Sequence, residues 1–461
     1  MSVTPLFKQA LNDHDTLRHA PLLAVAFDKR EPFGADRLHA HDHGVALAGV
    51  PIILLAAANP LSYSCNIMHT TKRIACILPV ATLLALSPPA FAANQLTVTA
   101  LNKLPLARSS QTIELTGDQL APLGAKDLNT VHVKDSAGKE LIAQAVDTDG
   151  DAYRKADIVI FQADFAANET KTFTVTVGAK QVFKREQFKA FGRFNRERFD
   201  DFVWENDRIA HRTYGKALET WEGEPLSSST IDIWSKRTPR IVVNDWYLSD
   251  DYHTDHGDGA DFYSAGPSRG CGGNGLWAAD RLWTSRNFIA SRVFANGPIR
   301  VMFELEYAPF QVDNISVSEV KRVTLDAGSQ LDRFQSSYKQ FTRPGQTQKL
   351  TTGIGLKKTG GEQVEANAEH GWLLKWEKVE KNAGNQGLAI IVDPKSFEKQ
   401  TEDKLNQLFL TKVSENNVAS YWAGFCWDKA GQLADAVAWK KYVDEFAQGT
   451  QSPIEVSVVE K

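Results

Sequence analysis

Between Trp246 and Trp277 the chain reads WYLSDDYHTDHGDGADFYSAGPSRGCGGNGLW, with two His, five Asp, seven Gly, three Tyr, one Arg and one Cys. So many glycines predict a loop whose backbone approaches a ligand closely. The polar groups between them serve acid–base chemistry, metal ligation or sugar binding. Imidazole and phenol move protons, so His253, His256, Tyr252 and Tyr263 are candidate catalytic acids and bases. The pair His253 and His256, with Asp258, offers an alternative divalent-cation site. Helical metal pairs are spaced by four residues, however, and Gly257 and Gly259 oppose a helix here. A hydrogen-bonded structural turn is the third reading. Further on, Arg269 stands in GPSRGCGG, where a sharply bending backbone presents a guanidinium. Arg grips a carboxylate with two prongs and Lys does not, which makes Arg269 a candidate catalytic anchor for an acidic ligand. A glycine-rich connection carrying a surface Arg is the plain alternative. The spacing of a phosphate loop is absent.

Strands must hold this loop in place. In FVWENDRIAHRTY, period-two alternation puts Asn206 and Arg208 on one face; in IDIWSKR it groups Asp232, Trp234 and Lys236. An aromatic face that stacks on sugar C–H groups, beside polar groups for hydroxyls, describes a sugar cleft. The substrate-binding candidates are therefore Asn206, Arg208, Trp234, Lys236, Trp246, Asp258 and Trp277. Core tryptophans with solvated charges are the plain alternative. His132 and His370, each isolated, read as structural.

All eleven Trp lie between Trp204 and Trp439, so the second part of the chain differs in composition from the first. Residues 1–67 show no sustained period and read as an upstream leader translated from a misassigned start. Met68 through Ala92 has the basic, apolar and small-x-small regions of a secretory signal peptide, with Ile74–Leu86 too short to span a bilayer. A periplasmic or secreted protein is expected, with no membrane insertion after cleavage. Removing residues 1–92 takes 7 basic and 6 acidic residues from the totals of 52 and 56 and leaves 45 against 50, a formal −5. That balance disfavours nucleic acid as a partner. Residues 93–185 carry six short strand-like runs separated by polar turns, which predicts a small N-terminal β-sandwich. DTDGD at Asp147–Asp151 fails the EF-hand pattern, because Ala152 and Ile158 replace its Gly and Glu, and reads as a turn. Lys180–Arg198 is basic, has few strand signals and reads as a link. Residues 186–461 contain twelve strand-like runs, RIVVNDWYL and IEVSVVE among them, and imply a large antiparallel β domain. Asp435–Gln448 is the helical exception, with Trp439, Tyr442, Val443 and Phe446 on one face for packing on a sheet. Cys271 and Cys426 read as two separate buried thiols, with a disulfide as the alternative.

These segments together resemble the domain-of-unknown-function family 4861. The resemblance runs through FGRFNRERFDDFVWENDRIAHRTYG, IDIWSKR, the Trp246–Trp277 stretch, SRNFIASRVFANGPIRVMFELEYAPF and YWAGFCW. It implies an all-β chain with few helices, a small N-terminal β-sandwich followed by a supersandwich of galactose-mutarotase type. It also implies a role in breaking down uronate-rich polysaccharides, with dehydratase or lyase activity on uronate-containing oligosaccharides. On a uronate, His253, His256, Tyr252 or Tyr263 would exchange protons at C5 and C4 while Arg269 held the carboxylate. No cofactor is required, and a divalent cation remains an option. Three rivals stand beside this. A hydrolase would draw on Asp255, Asp258, Asp261 and Glu205. A mutarotase or epimerase would use a His and a carboxylate. A non-catalytic sugar-binding protein would need only Trp234, Trp246 and Trp277.

Overall fold

The computed structural model describes residues 93–461 except 152–154, 224–225, 250, 344 and 461. The expected leader and signal peptide lie outside the described residues. Among the described residues no helix is long and apolar enough to cross a membrane.

The N-terminal sandwich forms where the six alternating runs were read. One antiparallel sheet has the order Glu455–Glu460, Leu96–Leu101, Thr170–Val177, Val131–Lys134, Glu140–Leu141. The other has Arg108–Thr116, Ile158–Phe165, Ala143–Val146. Alternation turns Leu96, Val98, Phe173 and Val175 of one sheet onto Ile113, Leu115, Val159 and Phe161 of the other. The run ELIAQAV divides between the two sheets. The chain's end corrects the expected boundary after residue 185: IEVSVVE pairs antiparallel with Leu96–Leu101 rather than with the second domain. An unpaired first strand would present open backbone groups at a sheet edge, and the returning C-terminal strand covers them.

The larger part is an antiparallel supersandwich. Its eight-stranded sheet runs Ala290–Ala295, Arg300–Val312, Ile315–Asp326, Leu331–Phe341, Val418–Trp427, Asn385–Val392, Trp372–Lys378, Gln363–Asn367. Two five-stranded sheets face it. The first is Gly259–Ala260, Asp232–Lys236, Ala210–Thr213, Asp201–Asn206, Ala190–Asn195; the second is Arg281–Trp283, Cys271–Ala278, Thr351–Lys357, Asn406–Lys412, Phe397–Glu402. Phe202, Trp204, Ile233, Ile354 and Phe409 of these sheets meet Phe303, Val323, Phe334, Tyr421 and Phe425 of the larger one in the main core. The helix Ala436–Gln451 is where the period placed it. The side chain of Asp435 accepts from Ala438 N at 2.8 Å, and Trp439, Val443 and Ala447 pack on the outer face of the eight-stranded sheet.

Three segments depart from the expected local structure, each for a tertiary reason. RIVVNDWYL holds a short helix, Val243–Ser249, instead of a strand. The Glu205 carboxylate accepts from Val242 N and Val243 N, both at 2.8 Å, and so satisfies donors that a helix start leaves open. Val243 and Tyr247, four apart, are then the buried face. Within the basic link, Ala190–Asn195 is a strand paired with Asp201–Asn206. The glycine-rich half of the Trp246–Trp277 stretch is not a loop throughout: Cys271–Ala278 is a buried strand paired with Thr351–Lys357. A Cβ on Gly272, which sits at φ +87°, would lie 2.1 Å from the Ala423 side chain, so glycine is what lets this strand press against the larger sheet. Cys271 and Cys426 are free and buried, as the separate-thiol reading expects.

Candidate active site

On the first five-stranded sheet, alternation sends His211 and Thr213 toward the core and Arg212 and Tyr214 to the outer face. The register sets Arg212 opposite Asp232. The helix Val243–Ser249 and the loop beyond it cover this face, with Trp234, Tyr247 and Tyr252 packed together over Val203 and Ala210. One guanidinium is thereby buried among three carboxylates. Arg212 Nε lies 2.8 Å from Asp232 Oδ2, Nη2 lies 3.0 Å from Asp261 Oδ2, and Nη1 lies 3.9 Å from Asp201 Oδ2. Tyr214 donates to Asp232 at 2.8 Å and Tyr247 to Asp201 at 3.3 Å. The rings of Tyr214, Trp234 and Tyr252 surround the guanidinium at 5.3–5.6 Å.

Arg212 is shared by three buried acids, and Arg198 also acts on Asp201. Burial pushes the Asp201 carboxyl up to about 7, against the pull of Arg212. Burial and then Asp232 hold Asp261 well above the usual carboxylate range. Burial alone would lower Arg212, but Tyr214, Asp232 and Asp261 outweigh it and raise its pKa. Among the described residues Arg212 Nη1 and Asp201 Oδ1 are buried without a hydrogen-bond partner.

The loop brings one of the expected proton-transfer groups onto this cluster. His253 Nδ1 lies 3.2 Å from the Asp261 carbonyl oxygen and 3.6 Å from Asp261 Oδ2. Its side chain is 55 % exposed while that of Asp261 is 1 % exposed. An accessible imidazole is thus backed by a buried carboxyl that Arg212 fixes. Tyr252 is its immediate neighbour, with ring centroids 4.5 Å apart, but is buried and stacked on Trp234. His256 does not join them; it pairs at 2.9 Å with Asp251 in an exposed contact. Tyr263 turns into the main core, its hydroxyl unpartnered among the described residues and its pKa raised by burial. His253, His256 and Asp258 are not gathered here: Asp258 binds Arg240 at 2.5 Å, and Asp255 binds Arg237.

The other expected residues are spread over the fold. Arg269 is buried, with Nη1 donating to Ser229 at 3.1 Å and Nη2 to Ser228 at 2.7 Å, and burial lowers its pKa to about 10. Both prongs are thus engaged inside the protein rather than offered to a ligand. Lys236 is likewise saturated by Glu205 at 2.6 Å and by the carbonyls of Asn206 and Arg240. Asn206 turns the hairpin: its Oδ1 accepts from Arg208 N and Ile209 N, and its Nδ2 donates to Asp326 O and Ser329 O. Trp234 is wholly buried, Trp246 packs beside it half-buried, and Arg208 is half-buried. Trp277 is half-buried beneath Lys399. These residues do not line one cleft.

The residues missed by sequence reasoning are Arg212, Tyr214 and Asp201. A signal existed in IAHRTY, where Arg212 and Tyr214 are two apart and so share a face, but the partner carboxylates come from three separate segments. His132 and His370, read as structural, contact Ala179 O and Asp444 respectively. The turn at Asp147 also brings Asp149 and Asp157 close enough to be compared with a metal site. There the Asp147 carboxylate accepts from Gly150 N and that of Asp157 from Thr148 N, as in a capped turn.

Comparison with known proteins gives three findings. The family described as Domain of unknown function (DUF4861) matches residues 101–456. Uncharacterized protein P7 of Formosa agariphila is 31 % identical over 378 residues, which span 78 % of this chain and 93 % of that protein. Among solved structures, an alpha-mannosidase and a glycosyl hydrolase family 38 protein, both from Enterococcus faecalis, align with TM-scores of 0.40 and 0.39 at 10 % and 9 % identity. Each alignment covers 80 % of this chain but only 46 % and 48 % of those proteins, so the chain spans about half their length. The family match and the relative agree over most of the chain, and this protein belongs to the DUF4861 family.

Proposed function

We propose that this protein is a carbohydrate-active enzyme, periplasmic or secreted, that acts on uronate-containing oligosaccharides by β-elimination, as a dehydratase or lyase. The observation that carries the reading is the half-exposed His253 imidazole set against the Arg212-clamped Asp261. The uronate substrate class rests on the family association given above. Elimination needs a base at C5, and His253 is the accessible proton acceptor of the cluster. As His253 takes the C5 proton, the C–H electrons form the C4–C5 double bond, the C4–O bond breaks, the departing oxygen takes a proton from solvent water, and the His253 imidazolium later returns its proton to solvent. Asp261 is a positioning residue: its carbonyl and carboxyl lie against the imidazole and hold its orientation.

The charge that develops on the C6 carboxylate needs a cation. Arg237 suits this better than Arg269. Its side chain is 32 % exposed, it pairs with Asp255 of the same loop, and it lies 4.6 Å from the Trp427 ring centroid. Arg237→Lys should raise KM for a uronate oligosaccharide by about 10-fold, or ~1.4 kcal/mol, because the two-pronged grip is lost. Arg269→Lys should leave KM unchanged and lower the melting temperature, since it leaves buried serine hydroxyls under-satisfied at a cost of about 1–3 kcal/mol. Steady-state kinetics and thermal melts of the two variants check this contrast. The reverse pattern would return the anchor to Arg269.

A further inference from the structure

The outer face of the eight-stranded sheet is covered by the helix Ala436–Gln451 at one end and by the N-terminal sandwich at the other. A cavity of about 530 Å³ remains among the three, within the ~300–1,000 Å³ usual for small-molecule sites. It lies across the main core from His253 and has no part in the reaction proposed above. Its arginines are not equivalent. Arg300 is neutralised by Glu114 at 2.6 Å and Asp326 at 2.6 Å, and Arg322 by Glu304 at 2.6 Å. Arg108 donates to Gly449 O and Ser452 O at the helix C-terminus. Among the described residues Arg333 has no carboxylate within ion-pair distance, and solvent reaches it. Its guanidinium carbon lies 5.9 Å from the ring centroid of the half-buried Trp422. Gln335, two residues along the same strand, and Thr324 on the next add polar groups to the same wall.

The geometry points to a second binding site, for a monoanionic saccharide, with the acid group on Arg333 and a sugar face on Trp422. Glu114 and Asp326 attract Arg333 without pairing with it, and a guanidinium free of a direct ion pair takes a carboxylate or a sulfate in a two-pronged bond. The indole beside it offers the apolar surface that a sugar ring covers, and the amide and hydroxyl on the same wall meet ring hydroxyls. Carboxylate and sulfate share this chemistry, so the test carries both.

The experiment is titration calorimetry of galacturonate, lactose sulfate and lactose into the full chain carrying His253→Ala, which suppresses turnover. At least one anion should bind, and adding Arg333→Gln should weaken one binding event by about 10-fold or more. Arg333→Lys should fall between, and lactose should bind far more weakly than the anion. The preferred anion identifies the acid group. Trp422→Leu, which keeps the guanidinium, should also weaken that event. In the enzyme with His253 intact, Arg333→Gln should leave turnover unchanged, so binding here and catalysis fail independently. Unchanged isotherms in both cavity variants, lactose binding as tightly as the anions, or no uptake of either anion would overturn the assignment.

Discussion

His253→Ala should lower the rate on a uronate oligosaccharide by about 100-fold or more, the usual scale for a lost general base, while the far-ultraviolet spectrum and melting temperature stay near those of the parent. The ring is half-exposed, so its removal acts on chemistry rather than on folding. His256→Ala should retain most of the activity, because His256 faces solvent in an exposed contact with Asp251. Activity should also survive extensive chelation, since Asp255 and Asp258 are held by Arg237 and Arg240 and are not gathered with the two histidines. Equal losses in both His variants, with activity lost to a chelator and restored by one divalent ion, would assign the pair as metal ligands.

Arg212→Met should be the most destabilising single change at the site. It removes the guanidinium that pairs with Asp232 and Asp261 and lies 3.9 Å from Asp201, and breaking a buried charge cluster from one side costs about 3–5 kcal/mol. Urea denaturation should show the loss as a lower midpoint. The same cluster makes stability depend on pH in a defined direction. The Asp201 carboxyl titrates at about 7 in the folded protein, against about 3.9 for an unfolded aspartate. A raised folded-state value means that its contribution is fully present below about pH 4 and is lost as pH rises through about 7. Asp201→Asn should therefore flatten the decline in stability between these limits. A decline of equal size in that variant would place the responsible proton elsewhere.

What could be read from the sequence was what local period encodes. The sandwich strands follow alternation, and the C-terminal helix follows a 3.6-residue face begun by Asp435. The buried glycine strand Cys271–Ala278 was hidden because its justification lies on another strand, at Ala423. The helix Val243–Ser249 was hidden because Glu205, distant in sequence, satisfies its first donors. The site divides in the same way. His253 was identifiable from residue type and glycine context. The cluster behind it was not: Asp232 and Asp261 stood out in other roles and Asp201 not at all, because the three acids meet Arg212 only after strand register is set. Arg269 and Lys236 show the converse: charged residues near glycine or tryptophan attract a functional reading, but burial with full hydrogen bonding makes them internal braces.

The most direct test is the turnover of a uronate oligosaccharide carrying deuterium at C5 beside its protiated form. Abstraction of that hydrogen by His253 predicts an unsaturated product absorbing in the ultraviolet, formed several-fold more slowly from the deuterated substrate. New reducing ends without ultraviolet absorbance, appearing at equal rates from both substrates, would contradict elimination and show hydrolysis instead.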